Sequence, residues 1–283
     1  MPMQDPLVYL NGEFIPLSEA KVSVLDRGFL FGDGVYEVIP VYGGKPFRLA
    51  DHLRRLDQSL AGIRLSSPLS HSQWQEIILR LLQGQGDQSV YIQVTRGGAA
   101  KRDHAFPTDC HPTVLVMVNP LAASEPSPVK AILLDDIRWQ WCHIKAITLL
   151  ANVLLRQQAI DQGCHEAVLV RGGKVTEGAA SNVFAVIDGV LLTPPKGPHL
   201  LPGITRDVVL ELAAQNEISF REEGITPEDL KRAEEIWLTS STRELLPVIA
   251  LDDLPVGTGR PGPLWEKMVG IFQAYKQSFR SYS

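Results

Sequence analysis

The sequence predicts an α+β protein built of two mixed domains. Three observations predict it. Residues 7–118 read as short hairpins interleaved with amphipathic helices, residues 119–128 hold three prolines in ten positions, and hairpins and helices then resume. The expected division is a smaller N-terminal α+β domain at 1–119, an interdomain linker at 120–128 and a larger C-terminal domain at 129–283. A chain of 283 residues is long enough for a core in each.

The elements follow in order. Leu7-Val8-Tyr9-Leu10, the Asn11-Gly12 turn and Phe14-Ile15 form a hairpin, because Asn-Gly tolerates the positive φ of the tight turn. Apolar residues then alternate from 34 to 42, Gly43-Gly44 turns, and Pro46-Phe47-Arg48-Leu49 returns. Residues 50–63 put Leu53, Leu56, Leu60 and Ile63 on one helical face, and 74–82 is a second helix. Residues 90–95 and 113–118 are β-branched strands. Past the linker, 129–134 is a strand, and 147–162 a helix stopped by Gly163, which accepts the left-handed conformation of a C-terminal cap. Two hairpins come next, 167–170 with 175–176 and 182–187 with 190–193. Helices at 205–216 and 227–232, a strand at 236–239 and a helix at 264–275 complete the chain.

Composition excludes several classes. The chain is 45% hydrophobic and 21% charged, with a net charge of -5, which argues against the clustered cations of a nucleic-acid interface. No apolar run approaches a membrane span, and the N-terminus carries no basic start or apolar signal core, so a cytoplasmic protein is expected. Cys110, Cys142 and Cys164 show no metal-ligand spacing and read as reduced thiols.

Several segments carry chemistry. Lys145, in Trp141-Cys142-His143-Ile144-Lys145, and Glu177, in Thr176-Glu177-Gly178, are the amine and carboxylate that a pyridoxal phosphate protein must supply; a snorkelling surface lysine is the plain alternative. Pro202-Gly203-Ile204-Thr205 opens a helix whose free N–H groups suit a phosphate, or is an ordinary helix start. Thr239-Ser240-Ser241-Thr242 is a hydroxyl cluster after a strand, or a turn. The run from Asp26 to Val38 is dense in Gly and charge and brings Tyr36 to a fixed point. Arg55 is either solvated or aimed at an anion. Arg102 and His104, two apart in a basic loop, can face one carboxylate, or the loop is simply mobile.

Together these residues resemble the class IV aminotransferases, the fold type IV pyridoxal-phosphate enzymes. The matching motifs, in order, are Asp26-Arg27-Gly28, Phe31-Gly32-Asp33-Gly34-Val35-Tyr36-Glu37-Val38, His52-x-x-Arg55-Leu56, Ile144-Lys145, Thr176-Glu177-Gly178, Ser181-Asn182-Val183-Phe184, Gly203-Ile204-Thr205-Arg206 and Thr239-Ser240. Arg102-Asp103-His104 and Asp136-Ile137-Arg138-Trp139 make the D-amino-acid aminotransferases of the bacillar type the most similar branch. The resemblance implies pyridoxal 5'-phosphate bound in the C-terminal domain, with Lys145 as Schiff-base lysine and proton carrier and Glu177 partnering the pyridine nitrogen. It implies that Arg55, Ile204, Thr205 and Ser241 hold the phosphate, that Gly203 and Ser240 also line the cofactor site, and that Leu201 lies against the ring. Tyr36, Arg102 and His104 would bind the substrate α-carboxylate, the last two from the other subunit of a homodimer. The activity implied is amino transfer from a D-amino acid such as D-alanine to a 2-oxo acid such as 2-oxoglutarate. Branched-chain L-amino-acid aminotransferase, aminodeoxychorismate lyase, amine transaminase and a binding protein without turnover are the alternatives. Ala179-Ala180 stands where the D-specific enzymes carry serines, the loop from Arg96 to Arg102 is one residue longer, and position 241 is Ser in place of Thr.

Overall fold

The computed structural model describes residues 5–82, 84, 86–109, 111–121 and 127–281. Cys110 and positions 122–126 of the expected linker lie outside them. The chain divides into two compact units, Met1–Ala123 with Ile144–Thr148, and Ser124–His143 with Leu149–Ser283. The five residues around Lys145 therefore group with the first unit, whereas a single cut near position 120 would leave them in the second.

In the first unit the hairpin β1 (Leu7–Leu10) and β2 (Glu13–Pro16) precedes a short helix α1 (Arg27–Phe31), where only a Gly-rich loop was expected. Asp26 caps α1 by accepting from Gly28 N at 2.7 Å, and Gly32 ends it in the left-handed conformation at φ 67. Strands β3 (Gly34–Tyr42) and β4 (Lys45–Pro46), helices α2 (Leu49–Gly62) and α3 (His71–Leu81), and strands β5 (Gln88–Thr95) and β6 (Thr113–Pro120) follow. Among the described residues the sheet has six strands in the order β2-β1-β6-β5-β3-β4, with neighbouring strands antiparallel throughout. Alternation sends Val35, Glu37, Ile39 and Val41 of β3 inward, onto Leu53, Leu56 and Leu60 of α2 and Trp74 and Ile78 of α3. Tyr36 and Val38 point to the other, half-buried face.

In the second unit β7 (Val129–Asp135) leads to α4 (Leu150–Asp161). The helix expected from 147 starts at 150 because residues 144–147 are drawn out along β3. Tyr36 N donates to Lys145 O at 2.9 Å, Ile147 N donates to Gly34 O at 3.1 Å, and Ala146 bridges Val35. Strands β8 (Glu166–Arg171), β9 (Lys174–Gly178), β10 (Asn182–Ile187) and β11 (Val190–Thr193) match the two expected hairpins. Helix α5 (Ile204–Gln215), β12 (Phe220–Glu222), α6 (Pro227–Lys231), β13 (Glu235–Ser240), β14 (Glu244–Leu251), β15 (Leu254–Pro255) and α7 (Pro263–Ser281) complete the unit. Among the described residues its sheet has nine strands, ordered β12-β11-β10-β13-β14-β7-β8-β9 with β15 on β14. β12, β14 and β15 had no counterpart in the expected elements. No helix among the described residues is long and apolar enough to cross a membrane.

Candidate active site

Lys145 is half-buried in the first unit, on the segment laid along β3. Its backbone N donates to Ser59 Oγ on α2 at 3.1 Å, so both sides of the lysine's peptide are held. Its Nζ stands 4.2 Å from the centroid of the Tyr36 ring, which brings two of the expected residues together. The Tyr36 ring lies 5.8 Å from that of Tyr91 on β5. Burial, with Tyr36 beside it, pushes the Tyr91 hydroxyl up to about 12, and Tyr91 donates to Gln93 Oε1 at 2.7 Å.

Arg55 is buried and not solvated. Its Nε and Nη2 donate to the two carboxylate oxygens of Glu37, each at 2.8 Å, and His52 Nδ1 meets Glu37 Oε2 at 2.8 Å. Burial favours the neutral Glu37 carboxyl, yet Arg55 and then His52 outweigh it and hold Glu37 well below the usual carboxylate range. Burial lowers His52, and Glu37 opposes that shift without reversing it. The sequence carried a signal for this group: an acid at an inward-facing position of an apolar strand must find a cation. No role had been expected of Glu37 or His52.

Arg102 and His104 lie exposed in the loop between β5 and β6. Both pack on Phe31 of α1, the Arg102 guanidinium 5.0 Å and the His104 ring 5.3 Å from its centroid. No contact found among the described residues joins either one to Tyr36, so this chain by itself does not gather the expected carboxylate-binding trio.

The second unit holds Glu177 at the end of β9, buried. Arg138 Nη1 donates to its Oε1 at 2.5 Å, and its Oε2 accepts from Leu201 N at 2.9 Å and Asn182 Nδ2 at 3.1 Å. Arg138 is in turn gripped by Asp136, from Nε and Nη2 at 2.9 Å each, while Thr176 Oγ1 donates to Asp136 Oδ2 at 2.9 Å. Burial alone would discharge Arg138; hydrogen bonds to Asp136 and the charge of Glu177 raise it above its ordinary value. Asp-x-Arg at the end of a strand was visible in the sequence, but its convergence on Glu177 depends on residues 39 positions apart.

Asn182 links Glu177 to the next group. Its Nδ2 also donates to Leu201 O at 2.9 Å, and its Oδ1 lies 1.9 Å from where a Cβ on Gly203 would be. A side chain there would force Asn182 or the start of α5 to move. Gly203 is the N-cap of α5, with no side-chain capping bond, so Ile204 and Thr205 begin the helix with their N–H groups open to a ligand. Ser240 ends β13 and Ser241 starts the following turn, both half-buried. Thr239, paired with Asn182 across β13 and β10 and so on the same face, has a buried Oγ1 without a hydrogen-bond partner among the described residues. Glu177, Leu201 and Gly203 are thus connected through Asn182 at the start of α5.

Ala180 N and Ser181 Oγ donate to Glu166 Oε2 at 3.2 and 2.9 Å, so the Ala179-Ala180 turn keeps a carboxylate anchor. Cys142 and Cys164 are free and buried; burial raises the Cys142 thiol, and its Sγ donates to Trp139 O at 3.1 Å, in keeping with a packing role.

A family model described as Amino-transferase class IV matches residues 34–251. The chain is 39% identical over 280 residues to a D-alanine aminotransferase of Staphylococcus haemolyticus, covering 96% of this chain and 98% of that one. It is 39% identical over 271 residues to a D-alanine aminotransferase of Bacillus licheniformis, with coverages of 94% and 95%. Among solved structures it is similar to the branched-chain aminotransferase of the archaeon Thermoproteus uzoniensis with norvaline, at a TM-score of 0.87 and 26% identity, covering 98% and 96%. The Escherichia coli branched-chain amino acid aminotransferase gives a TM-score of 0.87 at 26% identity, covering 96% and 94%.

Proposed function

The chain belongs to the class IV aminotransferases, and we propose that within that family it moves an amino group from a D-amino acid, such as D-alanine, to a 2-oxo acid. The observation that carries this reading is the near-full-length identity to D-alanine aminotransferases. The likeness to branched-chain enzymes is equally long, but lower in identity.

The residues present fit pyridoxal 5'-phosphate. An α5 N-terminus without a side-chain cap, next to half-buried serines and an unpartnered buried hydroxyl on Thr239, suits a phosphate. Glu177, fixed by Arg138, Asn182 and Leu201, suits a protonated pyridine nitrogen. When bound, the cofactor supplies an aldehyde that condenses with amines and a ring that withdraws electrons from the substrate carbon. Arg55, Ile204, Thr205 and Ser241 would hold its phosphate, Gly203 and Ser240 would line the site beside it, and Leu201 would flank the ring. Lys145 Nζ would take the proton from the substrate Cα and deliver it to the cofactor C4′. Tyr36, with Arg102 and His104 of a second copy, would bind the α-carboxylate and so decide which face of Cα meets the lysine. A homodimer is supported by Leu150, Val153 and Leu154, three apolar residues at helical spacing left exposed on α4.

The experiment is a donor panel with 2-oxoglutarate. D-alanine should yield glutamate and pyruvate at a rate well above that of L-leucine, and Lys145→Ala should cut turnover at least about a thousandfold. A preference for L-leucine would select the branched-chain reading. A fully active Lys145→Ala variant would remove the lysine from its role.

A further inference from the structure

The loop that carries Arg102 and His104 has no regular secondary structure, yet its backbone is held by a buried ion cluster. Arg27, only 4% exposed, donates from Nη1 to Asp103 O at 2.6 Å and Ala105 O at 3.2 Å, and from Nη2 to His104 O at 3.2 Å. Its Nε donates to Asp33 Oδ2 at 2.8 Å. The same carboxylate accepts from Arg96, Nε at 2.8 Å and Nη2 at 3.0 Å. Arg96 is tied to the end of α2 through Ile63 O at 2.6 Å, and its guanidinium lies 3.7 Å from the centroid of Phe106. Asp33 thus carries two cations, one on three successive carbonyls and one under the aromatic ring that follows. Phe31, one helical turn after Arg27, supports the side chains of Arg102 and His104 themselves.

Burying two guanidinium groups beneath an exposed loop is costly unless their geometry does something for the loop. Asp33 is a single carboxylate shared by two guanidinium groups. The three carbonyl contacts add no charge balance; they fix the backbone at 103, 104 and 105. We propose that Arg27 is a positioning residue for the substrate carboxylate: braced by Asp33 and Arg96, it sets the segment that presents Arg102 and His104. This rests on the reading in which those two residues bind the α-carboxylate. Misplacing a binding group by about 1 Å can cost on the order of a hundredfold. Lysine cannot replace the fork, since one ammonium does not span Asp33 and three carbonyls.

The test uses the cofactor-loaded enzyme with D-alanine and compares Arg27→Lys, Arg102→Ala, His104→Ala and the double variant of Arg27→Lys with Arg102→Ala. Arg27→Lys should raise KM for D-alanine at least tenfold with a much smaller change in kcat and an unchanged visible cofactor spectrum. Amide hydrogen exchange should quicken at 101–107 while α2 and α3 keep their protection. In the double variant the Arg27→Lys penalty should shrink, because both act through one contact. If Arg102→Ala raises KM and Arg27→Lys does not, the positioning role is overturned while the carboxylate reading survives. If neither Arg102→Ala nor His104→Ala moves KM, the carboxylate reading falls and takes this role with it. Equal multiplicative losses in the double variant, or a general loss of protection, would make Arg27 merely structural. Should Arg27→Lys fail to fold, Phe106→Ala, at an exposed position, loosens the same clamp and should raise KM in the same way; an unchanged KM there counts against the clamp.

Discussion

Glu37 is a fully buried carboxylate on a strand whose inward neighbours are Val35, Ile39 and Val41. Such a charge survives only because Arg55 takes both its oxygens and His52 one of them. Glu37→Gln keeps the shape and removes the charge that Arg55 grips at both oxygens. Breaking a buried pair from one side costs about 3–5 kcal/mol, so the urea midpoint should drop sharply. Arg55 would also lose its orientation, and cofactor retention on dialysis should weaken. A variant with unchanged midpoint and retention would show that Arg55 is held by other means. Residue types at this scale were largely legible in the sequence: Lys145, Glu177, Tyr36 and Gly203 stand in recognisable motifs. Their supports were not. Arg138, Asp136 and Asn182 act on Glu177 through contacts that only the folded chain creates, and a motif shows a residue's presence without showing what it touches.

Among elements, the hairpins and the helices with a single apolar face were legible because their signal is periodic and local. The start of α4 was not. Apolar spacing continues back through Ile147, but bonds to Gly34 and Tyr36 and the bridge of Ala146 to Val35 pin residues 145–147 beside β3, so the helix starts only after them. A long-range pairing therefore decided where Lys145 sits. α1 escaped notice for a related reason: five residues are too few for periodicity, and its cap and stop come from Asp26 and Gly32. The entry to α5 gives a prediction at this scale. Gly203→Ala puts a methyl 1.9 Å from Asn182 Oδ1, well inside any real contact. Either α5 shifts, or Asn182 swings away and releases Glu177 Oε2 and Leu201 O. Secondary structure should survive by circular dichroism: Ala is a poorer N-cap than Gly, but it adopts the extended backbone found at 203, and the exchange costs about 1 kcal/mol. Cofactor affinity should fall at least tenfold by equilibrium dialysis. Unchanged affinity would mean that the Asn182 link does not organise the site.

Across the whole molecule, buried ionisable groups in both units make stability depend on pH in one direction. His52 is lowered by burial, and His165 is lowered to about 4 by partial burial and the nearby Arg243 and Arg156. As pH falls below about 6.5, unfolded histidines bind protons that the folded ones refuse, so the folded state loses ground. A full one-proton difference would give about 1.4 kcal/mol per pH unit as a ceiling for each group; the contribution of His165 is reduced because water screens its exposed edge. Below the usual carboxylate range, near 4, the second group takes over. Asp33, Glu37 and Asp136 are all held low: in each, burial opposes ionisation and arginine partners prevail. Their contribution is complete above that range and lost as pH falls through their folded values. Glu166 works the other way in the first stage: burial raises its carboxyl, so it takes up a proton above the usual carboxylate range and offsets part of the histidine effect, one group against two. Urea midpoints should therefore decline from pH 7 to 4.5 and then fall more steeply, and 0.5 M salt should change this little because most of these pairs are buried. His165→Asn should flatten the first stage without touching the second. A midpoint constant from pH 7.5 to 5 would mean that these histidines titrate alike in the folded and unfolded chain, and the link drawn between their burial and acid stability would be wrong.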